Sequence, residues 1–153
     1  RRKFVKKIIL GLFLILGAFS FAVPSFIDTT KLENAGYSIL QDKENIFTFA
    51  VSDNDSGLMV SFYLSDKTPK ELSDAIKSEA PSNAKFIATF DNDRAYVNEL
   101  KNDSLYSYHF VSKNQKIKGY HIYATYASPK KLSKEAVDAT VKFVLDDVES
   151  FIK

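Results

Sequence analysis

The sequence predicts an α+β domain. It should hold an antiparallel meander sheet of about six or seven strands, a short inserted helix, and a long C-terminal helix packed on one face, all preceded by an N-terminal signal or anchor helix. Three observations carry the prediction. From Gly36 to Tyr126, runs of β-branched and aromatic residues are broken by Asn, Asp and Gly turns roughly every eight to twelve residues, too closely for parallel crossovers. Near the C-terminus, Val137, Val141, Val144 and Val148 recur at helical spacing. At the N-terminus, a cluster of cations precedes an uncharged apolar run.

That leader comes first in the chain. Arg1, Arg2, Lys3, Lys6 and Lys7 form a positive region, and Ile8 to Val23 follow without a charge. Ser20 and Ala22 put small residues at the minus-three and minus-one positions of a cut before Val23, with Ala18 and Ser20 offering a second register before Phe21. Uncut, the run continued to Ile27 approaches the ~20 apolar residues that span a bilayer, and would tether the domain to the membrane. In both cases the cations hold the N-terminus in the cytoplasm and the rest is delivered to the outer side, periplasmic or secreted. Residues 1–22 are therefore read as signal peptide or membrane anchor, 23–35 as a linker, and 36–153 as the folded domain. Within the linker, Thr30 and Glu33 have the spacing that caps one helical turn.

The strands expected in the domain are Tyr37 to Gln41, Ile46 to Ser52 and Leu58 to Leu64, with a turn over Asp53 to Gly57. Thr68, Pro69 and Glu71 then stand at N-cap, N1 and N3 of a short helix ending before Pro81, whose narrow apolar side is Leu72, Ala75 and Ile76. Lys85 to Phe90 and Arg94 to Leu100 form the next pair of strands, and Leu105 to Ser112 with Lys116 to Tyr126 the longest hairpin. In the closing helix the valine stripe should be widened by Ala136, Thr140 and Phe143, leaving Lys134, Asp138, Lys142, Asp146, Asp147 and Glu149 in water.

Composition narrows the chemistry. The 153 residues contain no cysteine, which excludes disulfides, thiolate metal sites, cysteine nucleophiles and a lipid-modified cysteine. Removing the five leader cations from the formal charge of +2 leaves −3 for the remainder, so nucleic acid has no electrostatic claim as the ligand. Neither a Gly-x-Ser-x-Gly elbow nor a glycine-rich phosphate loop occurs, and no cofactor is implied.

Alternation in the longest hairpin singles out one polar set. Tyr106, Tyr108 and Phe110 share a face with Tyr120, Ile122, Ala124 and Tyr126, which leaves Ser107, His109, His121 and Tyr123 on the other. The two histidines could be cross-strand neighbours in a ligand or partner face, or two ligands of a metal, although zinc needs a third. Asp53, Asn54, Asp55 and Gly57 faintly imitate a calcium loop, but Leu64 stands where its bidentate acid belongs. Lys113, Lys116 and Lys118 with Lys130, Lys131 and Lys134 suit anionic headgroups, envelope polymers, or simply a solvated edge.

The order of elements resembles the PsbP-like superfamily of exported α+β domains. Gly36, Tyr37, Ser38 and Ile39 are similar to its opening strand, and Val144, Val148, Ser150 and Phe151 to its closing helix. The Pro and Trp often found after the opening strand are missing. What the resemblance implies is an exported accessory or binding domain with no catalytic residues to transfer. The function expected is therefore non-enzymatic binding of a protein partner at the cell envelope. The alternative is a carrier of a small apolar ligand between sheet and helix, and the third is a metal-dependent site at His109 and His121.

Overall fold

Three helices and seven strands succeed one another in residues 23–43 and 45–153, the part of the chain that the computed structural model describes. They are α1 (Thr29–Asn34), β1 (Ser38–Lys43), β2 (Ile46–Asp53), β3 (Ser56–Leu64), α2 (Pro69–Ser78), β4 (Ala84–Phe90), β5 (Ala95–Asn102), β6 (Leu105–Ser112), β7 (Tyr120–Ser128) and α3 (Lys134–Glu149). The signal or anchor helix expected over residues 1–22 lies outside the described residues.

All strand pairs are antiparallel, but the sheet is not one continuous meander. Its order is β1-β2-β3-β7-β6-β5-β4, so the hairpin runs β1 to β3 and β4 to β7 are joined where β3 meets β7. The reason lies in α2: the connection through it carries the chain across the sheet, so β4 starts at the far edge and the meander works back. Both edge strands carry an irregularity, between Ile39 and Gln41 in β1 and between Phe86 and Ala88 in β4. Such bulges twist an edge away from further pairing.

The β2–β3 turn is tighter than composition suggested. Asp53 pairs with Ser56, leaving only Asn54 and Asp55 at the corner, and Asn54 takes the positive φ (28°) such turns demand. Gly57 is a buried strand residue between Ser52 and Ala127, not part of the turn.

The stretch from Val23 to Ala35 is not a loose linker. Ile27 bridges to Ile152, the Phe26 ring packs edge-on against Phe62 and Tyr120, and Leu32 is completely buried. Asp28 rather than Thr30 caps α1, its carboxylate accepting from the Lys31 amide. Gly36 ends that helix with φ +96°, as the Gly36 amide donates to the Glu33 carbonyl and the Tyr37 amide to that of Leu32.

α3 covers one face of the sheet and α2 the other. Val137, Val141, Val144, Leu145 and Val148 are the buried side of α3. At ~100° per residue they fill a continuous arc of about 100°. Phe143 falls about 100° beyond that arc, so it does not widen the stripe and is 67% exposed; Leu145 takes the inward place instead. Opposite the valines lie Phe47, Phe49, Phe62, Phe110 and Phe151, with the Phe49 ring against those of Tyr37 and Phe151. Tyr37 donates its hydroxyl to Asp147, and burial together with that carboxylate raises its pKa far above the ordinary phenol value.

The inserted helix begins as its residues require. Thr68 Oγ1 accepts from the Glu71 amide and Glu71 Oε1 accepts from the Thr68 amide, both bonds of a capping box, with Pro69 in the first turn. Leu72 and Ile76 pack on Val111 and Tyr123, and Asn98 donates to Ser73 Oγ, so α2 lies over β5 and β6.

Candidate functional site

Ser107, His109 and Tyr123 come together beneath α2, while His121 does not join them. β6 and β7 pair even residues with even and odd with odd, but His109 stands opposite Thr125 and His121 opposite Tyr63 of β3. Four residues of β7 therefore separate His121 from the partner of His109, roughly 13 Å at ~3.3 Å per residue. One metal ion cannot bridge that gap, since its bonds to nitrogen are about 2 Å long. Among the described residues no three His, Asp or Glu side chains are grouped to hold a metal.

Around His109 every polar atom is occupied. Its Nδ1 is 2.9 Å from the Tyr123 hydroxyl and 3.2 Å from Thr125 Oγ1, and its Nε2 is 2.9 Å from Ser107 Oγ. Thr125 also donates to the Tyr123 oxygen, and the Tyr123 and His109 rings lie nearly parallel. Burial pulls the imidazole pKa down to about 4, so His109 is neutral at neutral pH. Both ring nitrogens are thus engaged by hydroxyls of the same two strands, and the imidazole is buried. The cluster ties two strands together under Leu72. His121 is buried separately, with the Gln115 amide nitrogen near both ring nitrogens.

A second polar network lies on the α3 side, where sequence reading had not placed one. Glu99 is fully buried and accepts from the Tyr108 hydroxyl at 2.9 Å and from Lys131 Nζ at 3.0 Å on both oxygens. The Leu132 amide donates to Tyr108 Oη, which pins the connection into α3 onto the sheet. Burial, reinforced by the Glu99 carboxylate, pushes the Tyr108 hydroxyl up to about 12. The signal was present: alternation in β5 puts Glu99 in phase with Ala95 and Val97, an acid on an apolar face that needs a cation.

A groove beside Phe143 is open to solvent. Where α3 parts from the tip of the β2–β3 hairpin, a cavity of about 390 Å³ opens. Val51, Leu58, Tyr126 and Val144 form its apolar lining, with Ala139 and Phe143 on the helix side and Asp53 at the hairpin. Its apolar lining is mainly aliphatic, with Tyr126 and Phe143 as the aromatic members. No lysine or arginine lines it among the described residues, and Asp55 stands exposed next to Asp53 at the tip. By contrast, the polar cleft between the β4–β5 turn and α3 is lined by Arg94, Lys134 and Lys142, all committed to Asp146, Glu149 or Asp138.

Comparison with protein-family models, with curated proteins and with solved structures finds no match for this chain.

Proposed function

We propose that the chain is an exported, non-enzymatic binding domain that acts at the cell envelope through a protein partner, with the groove beside Phe143 as its contact site. The observation that carries this reading is the exposed ring itself. A phenylalanine that the fold leaves two-thirds in water, beside an apolar groove, is where a partner gains most from burial. Asp53 and Asp55, without a cation in the lining, suit a partner segment that offers an apolar side chain flanked by Lys or Arg. Export is supported by the cationic and apolar order of residues 1–23, and among the described residues no helix is long and apolar enough to cross a membrane. Kinship with PsbP-like proteins belongs to the same proposal, supported by an antiparallel sheet with a long closing helix.

A photo-crosslinking residue at position 143 tests the site in intact exporting cells. The expected outcome is one discrete adduct, weakened by Asp53→Lys, and none from the same residue at exposed Phe86. Equal or diffuse adducts from both positions would contradict it.

A second reading, a carrier of a small apolar molecule, is supported by the groove volume, which lies in the range of small-molecule sites. The neutral probe N-phenyl-1-naphthylamine should then bind with enhanced fluorescence and be displaced by Ala139→Trp.

A further inference from the structure

We infer that the pole of the domain bearing Leu64 and the Lys116–Lys118 loop faces, and docks on, the anionic headgroups of a phospholipid bilayer. This rests on the envelope reading above, but on a different surface. Residues 24–27 enter the domain at this pole: the Phe26 ring lies 4.8 Å from that of Tyr120, at the start of β7, and the Phe26 carbonyl accepts from the Lys153 amide. The stretch without charge in the sequence extends from Ile8 to Ile27, so it reaches this contact with no polar spacer before the folded domain. A bilayer that holds this run is therefore tethered within a few residues of the same pole.

What surrounds that point suits such a surface. Leu64 is 42% exposed and pairs with Tyr120, and its side chain lies over Gly119. The Ser65 amide donates to the Gly119 carbonyl, which holds the Leu64–Lys67 and Lys116–Gly119 segments side by side, and the Tyr120 amide donates to the Ile117 carbonyl to close the turn of the second. Ile117 is partly exposed between Lys116 and Lys118. Lys116, Lys118 and Lys153 are exposed and engage in no ion pair among the described residues; Lys67 is exposed beside Asp66, and its charge acts on Glu71. Unpaired cations around exposed aliphatic side chains are the footprint of headgroup binding.

The absence of cysteine permits a direct test on the full chain. Ile117→Cys and, at the opposite pole, Asp55→Cys carry an environment-sensitive nitrobenzoxadiazole label. Vesicles contain palmitoyl-oleoyl phosphatidylglycerol and phosphatidylcholine in equal parts, or phosphatidylcholine alone. With phosphatidylglycerol present, the label at 117 should shift to the blue and resist an aqueous quencher, while the label at 55 should do neither. Adding Lys116→Glu with Lys118→Glu should cut that protection about tenfold or more, since each lysine near such a surface is worth roughly fivefold in partition. Labels equally open to quencher on vesicle-bound chain would overturn this orientation, as would failure to bind phosphatidylglycerol vesicles at all. Neither result depends on Phe143, so loss of the groove reading would show separately, in the crosslinking experiment.

Discussion

The two faces of the sheet are filled in different ways. Toward α3 the side chains are mostly aromatic and aliphatic, with Phe47, Phe49, Phe62 and Phe110 meeting the valines of the helix, and Glu99 is a fully buried charge among them. Toward α2, Thr48 and Ser61 share a 2.7 Å hydrogen bond, Thr89 bonds Asn98, and Ser107, His109, Tyr123 and Thr125 form the network described above. The first face is held by volume, which is not directional and tolerates small shifts. The second is held by hydrogen bonds, which are satisfied only when strands pair in one register. The difference assigns stability mainly to the α3 side and precision of pairing mainly to the α2 side.

The largest expected effect breaks the apolar side. Phe49→Ala should cost about 3–5 kcal/mol, because it empties the ring cluster shared with Tyr37, Phe62 and Phe151. Urea unfolding measures it directly.

Acid should weaken the polar side. The His109 pKa is about 4 when folded and ~6.5 when unfolded, so between those values the unfolded chain binds the extra proton. Stability is then full above pH ~6.5, falls as the pH drops toward ~4, and loses on the order of 3 kcal/mol over that window. His109→Gln should flatten the same part of the curve, although it will also lower the plateau.

A smaller effect lies outside both faces, at the start of α2. Thr68→Ala removes one bond of the capping box and should cost about 1 kcal/mol, without changing the pH dependence set by His109.

How much of this could be read from residues follows the range of each signal. The capping box at Thr68, the Leu105–Ser112 strand and the even and odd faces of Tyr106–Phe110 and Tyr120–Tyr126 were legible, because each depends on neighbours a few positions apart. The partner of His109 was not. Alternation decides the face, but register follows from where β7 begins, and Gly119 at φ +86° delays that start to Tyr120 rather than Lys116. The β3–β7 pairing was hidden for a similar reason, since nothing local tells a chain leaving a helix to cross to the far edge. Phe26, Ile27 and Leu32 are too sparse to show a period, so a core segment read as linker. Phe143 misled because it sits beside the valine stripe in sequence, while the helix turns Leu145 inward instead.

Equilibrium unfolding of Phe143→Ser, run beside Phe49→Ala, separates the ring kept for a partner from the rings that make the fold. If Phe143 is surplus to folding, its loss changes stability by less than ~0.5 kcal/mol, the range of ordinary surface substitutions. A loss approaching that of Phe49→Ala would place Phe143 in the core and remove the groove beside it as a binding surface.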